Sequence, residues 1–331
     1  QANVFGTGNR VSAQLNTGSV NTVYALSFVN PYYTIDGISL GYDLYKRDVD
    51  TNSLDNVSDY QSSTLGAGVR FGFPVNERDF ISLGLVYEQS SLTVTPDNLT
   101  DQVPATQYQK FVGSTGSRDD DTLRFDASWA RDTRNSFLFP TKGMLQRVSS
   151  EIGTPVGSLQ YYKLSYQHQQ YFPLSSSFTL LLNGEVGIGG GLADEELPFF
   201  KNFFAGGSSS VRGFKPGTLG PKDFNGDAIG GDKRMVGNVE LFFPLPGIKD
   251  NQSLRMSAFI DAGAAYGTGG SSSNGQSTYS DFSFNEIGVS AGLAVLWVSP
   301  LGPLKFSLAQ PLVSNPGDQE EIFQFTLGNA F

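Results

Sequence analysis

Cysteine is absent from all 331 residues, which removes disulfides, thiolate catalysis and cysteine metal sites together. Histidine occurs once, as His168, so no multi-histidine metal centre can be assembled. No uninterrupted apolar run approaches the ~20 residues that a membrane helix needs, and a helical membrane protein is excluded. Basic residues are too few to serve nucleic acid: 22 stand against 32 acidic ones, for a net charge of −10, where phosphate binding calls for a cationic surface. Charge of either sign is sparse, at 16% of residues. No signal peptide opens the chain, so the expectation is that one was removed or that the sequence begins internally.

What the chain does have is aromatic residues, 26 Phe and 14 Tyr among them, and 39 Gly. Many short aromatic, glycine-bearing segments suit an all-β chain. Side chains alternate over Thr64–Phe73, with Leu65, Ala67, Val69, Phe71 and Phe73 opposite Gly66, Gly68, Arg70 and Gly72. The same period of two places Leu123, Phe125, Ala127 and Trp129 opposite Arg124, Asp126 and Ser128. It recurs where Val289, Ala291, Leu293, Val295 and Trp297 oppose Gly288, Ser290, Gly292 and Ala294. The pattern predicts strands near 9–16, 21–29, 38–47, 61–73, 80–94, 122–132, 144–153, 160–172, 177–188, 235–243, 254–266, 285–298, 303–309 and 321–331.

Alternation alone also fits a soluble sandwich; length and loop order separate the two. Many of these segments reach the ~10 residues that a tilted strand needs to cross a bilayer. Short, proline-marked turns such as Phe73-Pro74, Phe139-Pro140 and Phe172-Pro173 alternate with long polar loops at 48–60, 95–121, 189–234 and 267–284. That is the order of a transmembrane antiparallel β-barrel in the bacterial outer membrane, with turns periplasmic and loops outside. Tyr32, Tyr33, Phe73, Phe139, Tyr171, Phe172 and Phe243 are expected to form an aromatic girdle beside the turns. The last segment puts Phe323, Phe325, Leu327 and Phe331 toward lipid and Gln324, Thr326 and Gly328 inward.

Within the 189–234 loop, Gly206–Phe214 holds one arginine, Arg212, between Val211 and the Gly213-Phe214 pair. Alternation points Glu240 inward, opposite Val239 and Leu241, and Asp261 inward, opposite Ile260 and Ala262. A guanidinium folded down between two luminal carboxylates makes charge-assisted bonds and stays charged. Spacing leaves a second reading open, in which Glu240 and Asp261 line a water-filled channel and the loop stays in solvent.

Other motifs carry little chemistry. His168 shares a face with Tyr166 and Phe172 and is discounted as a catalytic base. Asp223-x-Asn225-Gly226-Asp227 is similar to a calcium loop, but its glycine falls one position early and the twelfth position is Arg234. Asp119-Asp120-Asp121 reads as a solvated acidic loop, with divalent cations among lipopolysaccharide head groups as the alternative. Gly187-x-Gly189-Gly190-Gly191 ends a strand with no helix after it, which a dinucleotide site requires.

Residues 195–214 together with Leu219-Gly220-Pro221-Lys222 closely resemble the BamA family, central subunits of the bacterial β-barrel assembly machinery. Asn30-Pro31-Tyr32-Tyr33, Gly72–Glu77, Phe139–Gly143 and Trp297–Leu304 extend the resemblance over essentially the whole chain. Val-Arg-Gly-Phe alone marks only a wider superfamily that includes two-partner secretion transporters and organellar import pores. The resemblance implies an outer-membrane insertase, not an enzyme, with no cofactor, no metal and no catalytic residue. It implies that Val211, Arg212, Gly213 and Phe214 form a loop motif folding into the lumen against Glu240 and Asp261. Nascent barrels would enter through a seam beside the last strand, which carries Phe325, Leu327, Gly328 and Phe331. Implied partners are unfolded outer-membrane proteins, accessory lipoproteins, lipopolysaccharide and phospholipid. The family barrel has sixteen strands and is preceded by periplasmic POTRA domains. The chain is therefore expected to be that barrel without POTRA domains and without the first hairpin, Gln1–Gly8 falling in the turn after the second strand. A secretion pore and a passive porin are the alternatives.

Overall fold

The computed structural model describes residues 6–18, 20–52, 54, 56–94, 108, 111–193, 195–223, 226–245, 253–267, 282–299 and 302–327. Its strands, in chain order, are β1 (Arg10–Thr17), β2 (Asn21–Asn30), β3 (Ser39–Asp50), β4 (Gln61–Pro74), β5 (Asp79–Thr93), β6 (Ser117–Asp132), β7 (Gly143–Gly153) and β8 (Tyr161–Pro173). There follow β9 (Thr179–Gly191), β10 (Gly213–Phe214), β11 (Lys233–Phe243), β12 (Leu254–Tyr266), β13 (Gly288–Ser299), β14 (Gly302–Val313), β15 (Glu320–Glu321) and β16 (Phe323–Leu327). Fourteen of them form one antiparallel sheet in sequence order, in which β9 pairs with β11 and β14 with β16, while β10 and β15 pair with each other. None of the described residues forms a helix long and apolar enough to cross a membrane.

The two faces of each strand meet different surroundings, as period-two patterning requires. Leu65, Leu85, Phe125, Leu182, Val239, Ile260, Leu293, Trp297 and Phe325 are exposed on the outer wall. Their neighbours Glu88, Glu240, Phe259, Asp261, Ser290 and Gln324 are buried on the inner one. An exposed apolar wall around a polar interior inverts the soluble arrangement, and a bilayer is the solvent in which it is stable. Inward side chains from β1 through β8 surround one cavity of about 890 Å³. Others, from β8 around to β16, surround a second of about 230 Å³. The sheet is thus curled into a transmembrane antiparallel β-barrel.

Several expectations require correction. β6 begins at Ser117, not near 122, so Asp119–Asp121 belong to a strand rather than a loop. Asp120 is buried there, bonded to the Arg118 Nε at 2.9 Å and to the Ser158 hydroxyl at 2.9 Å. Tyr171 leaves the girdle: it is buried and lines the inner cavity, because odd-numbered positions of β8 face inward. β13 starts at Gly288 after a 3-10 turn over Phe284–Glu286. Leu92, near the end of β5, packs with Val94, Tyr108, Val112, Phe199 and Ile229 into a buried apolar cluster.

Candidate functional site: a loop docked inside the barrel

The site is built by the segment between β9 and β11. A tight turn sets it up: the Ser210 hydroxyl accepts from the Gly206 amide and donates to the Gly206 carbonyl, each at 2.9 Å. Asn238, on the inner face of β11, donates to the Ser210 carbonyl at 2.7 Å and accepts from Asn183 on β9 at 2.7 Å. An inward amide pair therefore fixes the turn to the wall one residue before the Val-Arg-Gly-Phe motif.

Each motif residue has a distinct physical task. Val211 and Phe214 are fully buried and pack with Ala205, Leu219, Val236 and Ala265. Gly213 adopts φ +89°, and a Cβ there would lie 3.0 Å from that of Ala309 and 3.3 Å from that of Ser290. Both backbone conformation and close approach to β13 and β14 therefore require glycine. Arg212, only 3% exposed, turns its guanidinium to the wall. Its Nε donates to Asp261 Oδ2 at 2.6 Å, its Nη2 to Asp261 Oδ1 at 2.8 Å, and its Nη1 to Glu240 Oε1 at 3.1 Å. The Arg212 amide adds a bond to Asp261 Oδ2 at 3.1 Å. Ser257 donates to Glu240, and the Phe259 ring lies 3.3 Å from the guanidinium carbon, a cation–π stack. Burial opposes the charge on Arg212, yet the bonds and charges of Asp261 and Glu240 outweigh it and hold its pKa above the ordinary arginine value.

The same loop grips the end of the sheet. β10 pairs with β15, Gly213 opposite Glu321 and Phe214 opposite Glu320. Gln324 of β16 donates to the Phe214 carbonyl at 2.7 Å, and Thr326 donates to the Ser208 hydroxyl at 3.1 Å. Lys222 reaches Asp318, in the connection before β15, at 2.9 Å. Sequence reasoning placed Gln324 and Thr326 inward but assigned them no partner, because their bonds go to loop backbone and to a serine that no periodicity marks.

Of the residues singled out beforehand, Val211, Arg212, Gly213, Phe214, Glu240 and Asp261 are thus together inside the barrel. Phe325 and Leu327 point outward from β16, whereas Gly328 and Phe331 lie outside the described residues. His168 sits on β8 away from this cluster. Asp223 and Asp227 close a short turn on each other, the Asp227 amide donating to Asp223 at 2.9 Å, and Asn225 lies outside the described residues.

Fold and site together define a transmembrane β-barrel whose long loop is returned into its own lumen and clamped there through one arginine. The chain belongs to the Omp85 superfamily, whose domain it matches over residues 3–331. It is similar to the outer membrane protein assembly factor BamA of Neisseria meningitidis serogroup B, with 41% identity covering all of this chain and 44% of that protein. A SAM50-like protein of Schizosaccharomyces pombe is 25% identical, with 96% of this chain and 64% of that one covered. Among solved structures, BamA from Haemophilus ducreyi lacking POTRA domains 1–3 superposes with a TM-score of 0.91 at 28% identity, covering 99% of this chain and 65% of that one. CdiB from Escherichia coli, at a TM-score of 0.55 and 16% identity over 98% of this chain and 56% of that one, shows a shared fold alone. The chain spans less than half the length of the Neisseria relative.

Proposed function

We propose that this barrel is the membrane-embedded part of an outer-membrane protein insertase in the bacterial outer membrane. It accepts unfolded barrel proteins at the end of its sheet and releases them into the lipid. The mechanism is strand addition: an extended substrate segment pairs with an exposed backbone edge, whose unpaired N–H and C=O groups supply the affinity. No covalent step is involved, so the chain works without cofactor or catalytic residue and is not an enzyme. Accessory lipoproteins would dock on POTRA domains preceding the barrel, and lipopolysaccharide and phospholipid form its surroundings.

The observation that carries this reading is the grip of the docked loop on β16 through Gln324 and Thr326. Arg212 ties that loop to β11 and β12, so the position of the last strand depends on a clamp set several strands away. Such a link holds an end strand in place until a substrate strand competes for its edge. A passive porin requires no such link; against a secretion pore stands the 41% identity to an outer membrane protein assembly factor, whereas the likeness to CdiB extends only to the fold. Depletion of the protein in its host tests the reading: outer-membrane proteins in general accumulate unfolded in the periplasm. Normal assembly with loss of one secreted product contradicts it.

A further inference from the structure

The Arg212 clamp does not balance its own charge. One guanidinium faces two carboxylates, Asp261 and Glu240, so the cluster carries an excess of one negative charge. Both acids are buried, Asp261 completely, and an uncompensated charge in such a setting is strongly destabilising. The Ser257 hydroxyl and the Arg212 amide donate to the carboxylates but bring no formal charge. A second cation is therefore required close by.

Besides Arg212 and Glu240, the 230 Å³ cavity is lined by three further cations, Arg134, Arg255 and Lys305, and by one further acid, Glu185. Most of these are engaged elsewhere. Glu185 is matched by Arg234 at 2.7 Å, and Arg134 by Asp132 at 2.7 Å. Arg255 donates to the Pro140 carbonyl at 3.0 Å, and its guanidinium carbon lies 4.3 Å from the centroid of the Phe242 ring. Lys305, on β14, forms no direct ion pair among the described residues. It is nonetheless the charge that acts most strongly on Glu240 after Arg212, and Glu240 and Asp261 both attract it against the repulsion of Arg212. Its cross-strand neighbours are Leu296 of β13 and Thr326 of β16, and Thr326 is bonded to Ser208 of the docked loop. Lys305 therefore stands where the clamp, the loop and the last strand meet.

We infer that Lys305 is a positioning residue for the docked loop: from β14, beside the last strand, it supplies the positive charge that the Arg212, Asp261 and Glu240 cluster lacks, and so keeps the loop seated. This role concerns docking alone and is read without an assembly assay, so its failure leaves the insertase reading untouched. The test is limited proteolysis of the docked loop in the intact protein folded in detergent, with folding followed by heat-modifiable gel mobility. Lys305→Met is expected to speed loop cleavage several-fold, and Lys305→Arg to be cleaved at the parent rate. In a Glu240→Gln protein, where Arg212 and Asp261 already balance, Lys305→Met is expected to change the rate little. Cleavage of Lys305→Met at the parent rate overturns the inference. So does an equal acceleration in both backgrounds, because the lysine then acts through packing rather than through the Glu240 charge. Should Lys305→Met fail to fold, Glu240→Gln is expected to restore folding, and a double variant that also fails overturns the inference.

Discussion

Arg212 and Asp261, 49 positions apart, meet through three hydrogen bonds, two from the guanidinium at 2.6 and 2.8 Å and one from the Arg212 amide at 3.1 Å. The amide bond distinguishes this contact from an ordinary ion pair, because it fixes the loop backbone as well as the side-chain tip. Asp261 is fully buried, so it has no access to bulk water in exchange for these bonds. The loop conformation and the Asp261 charge therefore depend on each other.

Removing one partner leaves the other charged and buried, at a cost of about 3–5 kcal/mol. Arg212→Ala should expose the loop to added protease and lower the temperature at which the folded barrel is lost on a gel. Arg212→Lys should recover only part of the loss, because an ammonium cannot reproduce the bidentate bonds to Asp261 together with the bond to Glu240.

Gly213→Ala should destabilise the docked loop by more than the ~1 kcal/mol typical of a strained Gly-to-Ala change, since the new methyl also meets Ala309 and Ser290. Thermal unfolding in detergent measures it. An equal change at Gly226, where no heavy atom lies within 4 Å of the added Cβ, isolates the backbone term.

The outer and inner walls should respond oppositely to charge. Ile260→Arg, on the exposed apolar wall, should cost roughly 2–4 kcal/mol if it lies at mid-bilayer depth and slow folding into lipid vesicles. Ser128→Lys, lining the large cavity, should fold like the parent. Equal behaviour of the two would reverse the assignment of faces.

The chain lacks cysteine, so introduced thiols report on one contact at a time. Ser208→Cys with Thr326→Cys, built at hydroxyls 3.1 Å apart, should cross-link on oxidation and join the loop to the last strand. If the end strand must leave the loop during insertion, cross-linking should arrest assembly and a reductant should restore it. Unimpaired assembly in the cross-linked form contradicts that release.

The barrel was legible because lipid enforces alternation: wherever a strand crosses the bilayer, one side chain in two is apolar. The alternation fades above the membrane, which is why the start of β6 went unread; in Ser117–Asp121 both faces are polar. Tyr171 was misplaced because an aromatic beside a turn suits either wall, and only its odd position in β8 decides. Arg212, Glu240 and Asp261 could be singled out as charges in settings that require partners. The bonds from Gln324 and Thr326 to the loop depend on how a coil segment lies in the lumen, which no periodicity encodes.

Docking of the loop through Arg212 and Asp261 is proposed to support assembly. Exchange of the two charges, Arg212→Asp with Asp261→Arg, compared with each single change, tests it most directly through the amount of folded outer-membrane protein in cells. Each single change should depress assembly, and the double change should recover a measurable part of it. A double variant no better than the worse single one would contradict the pairing.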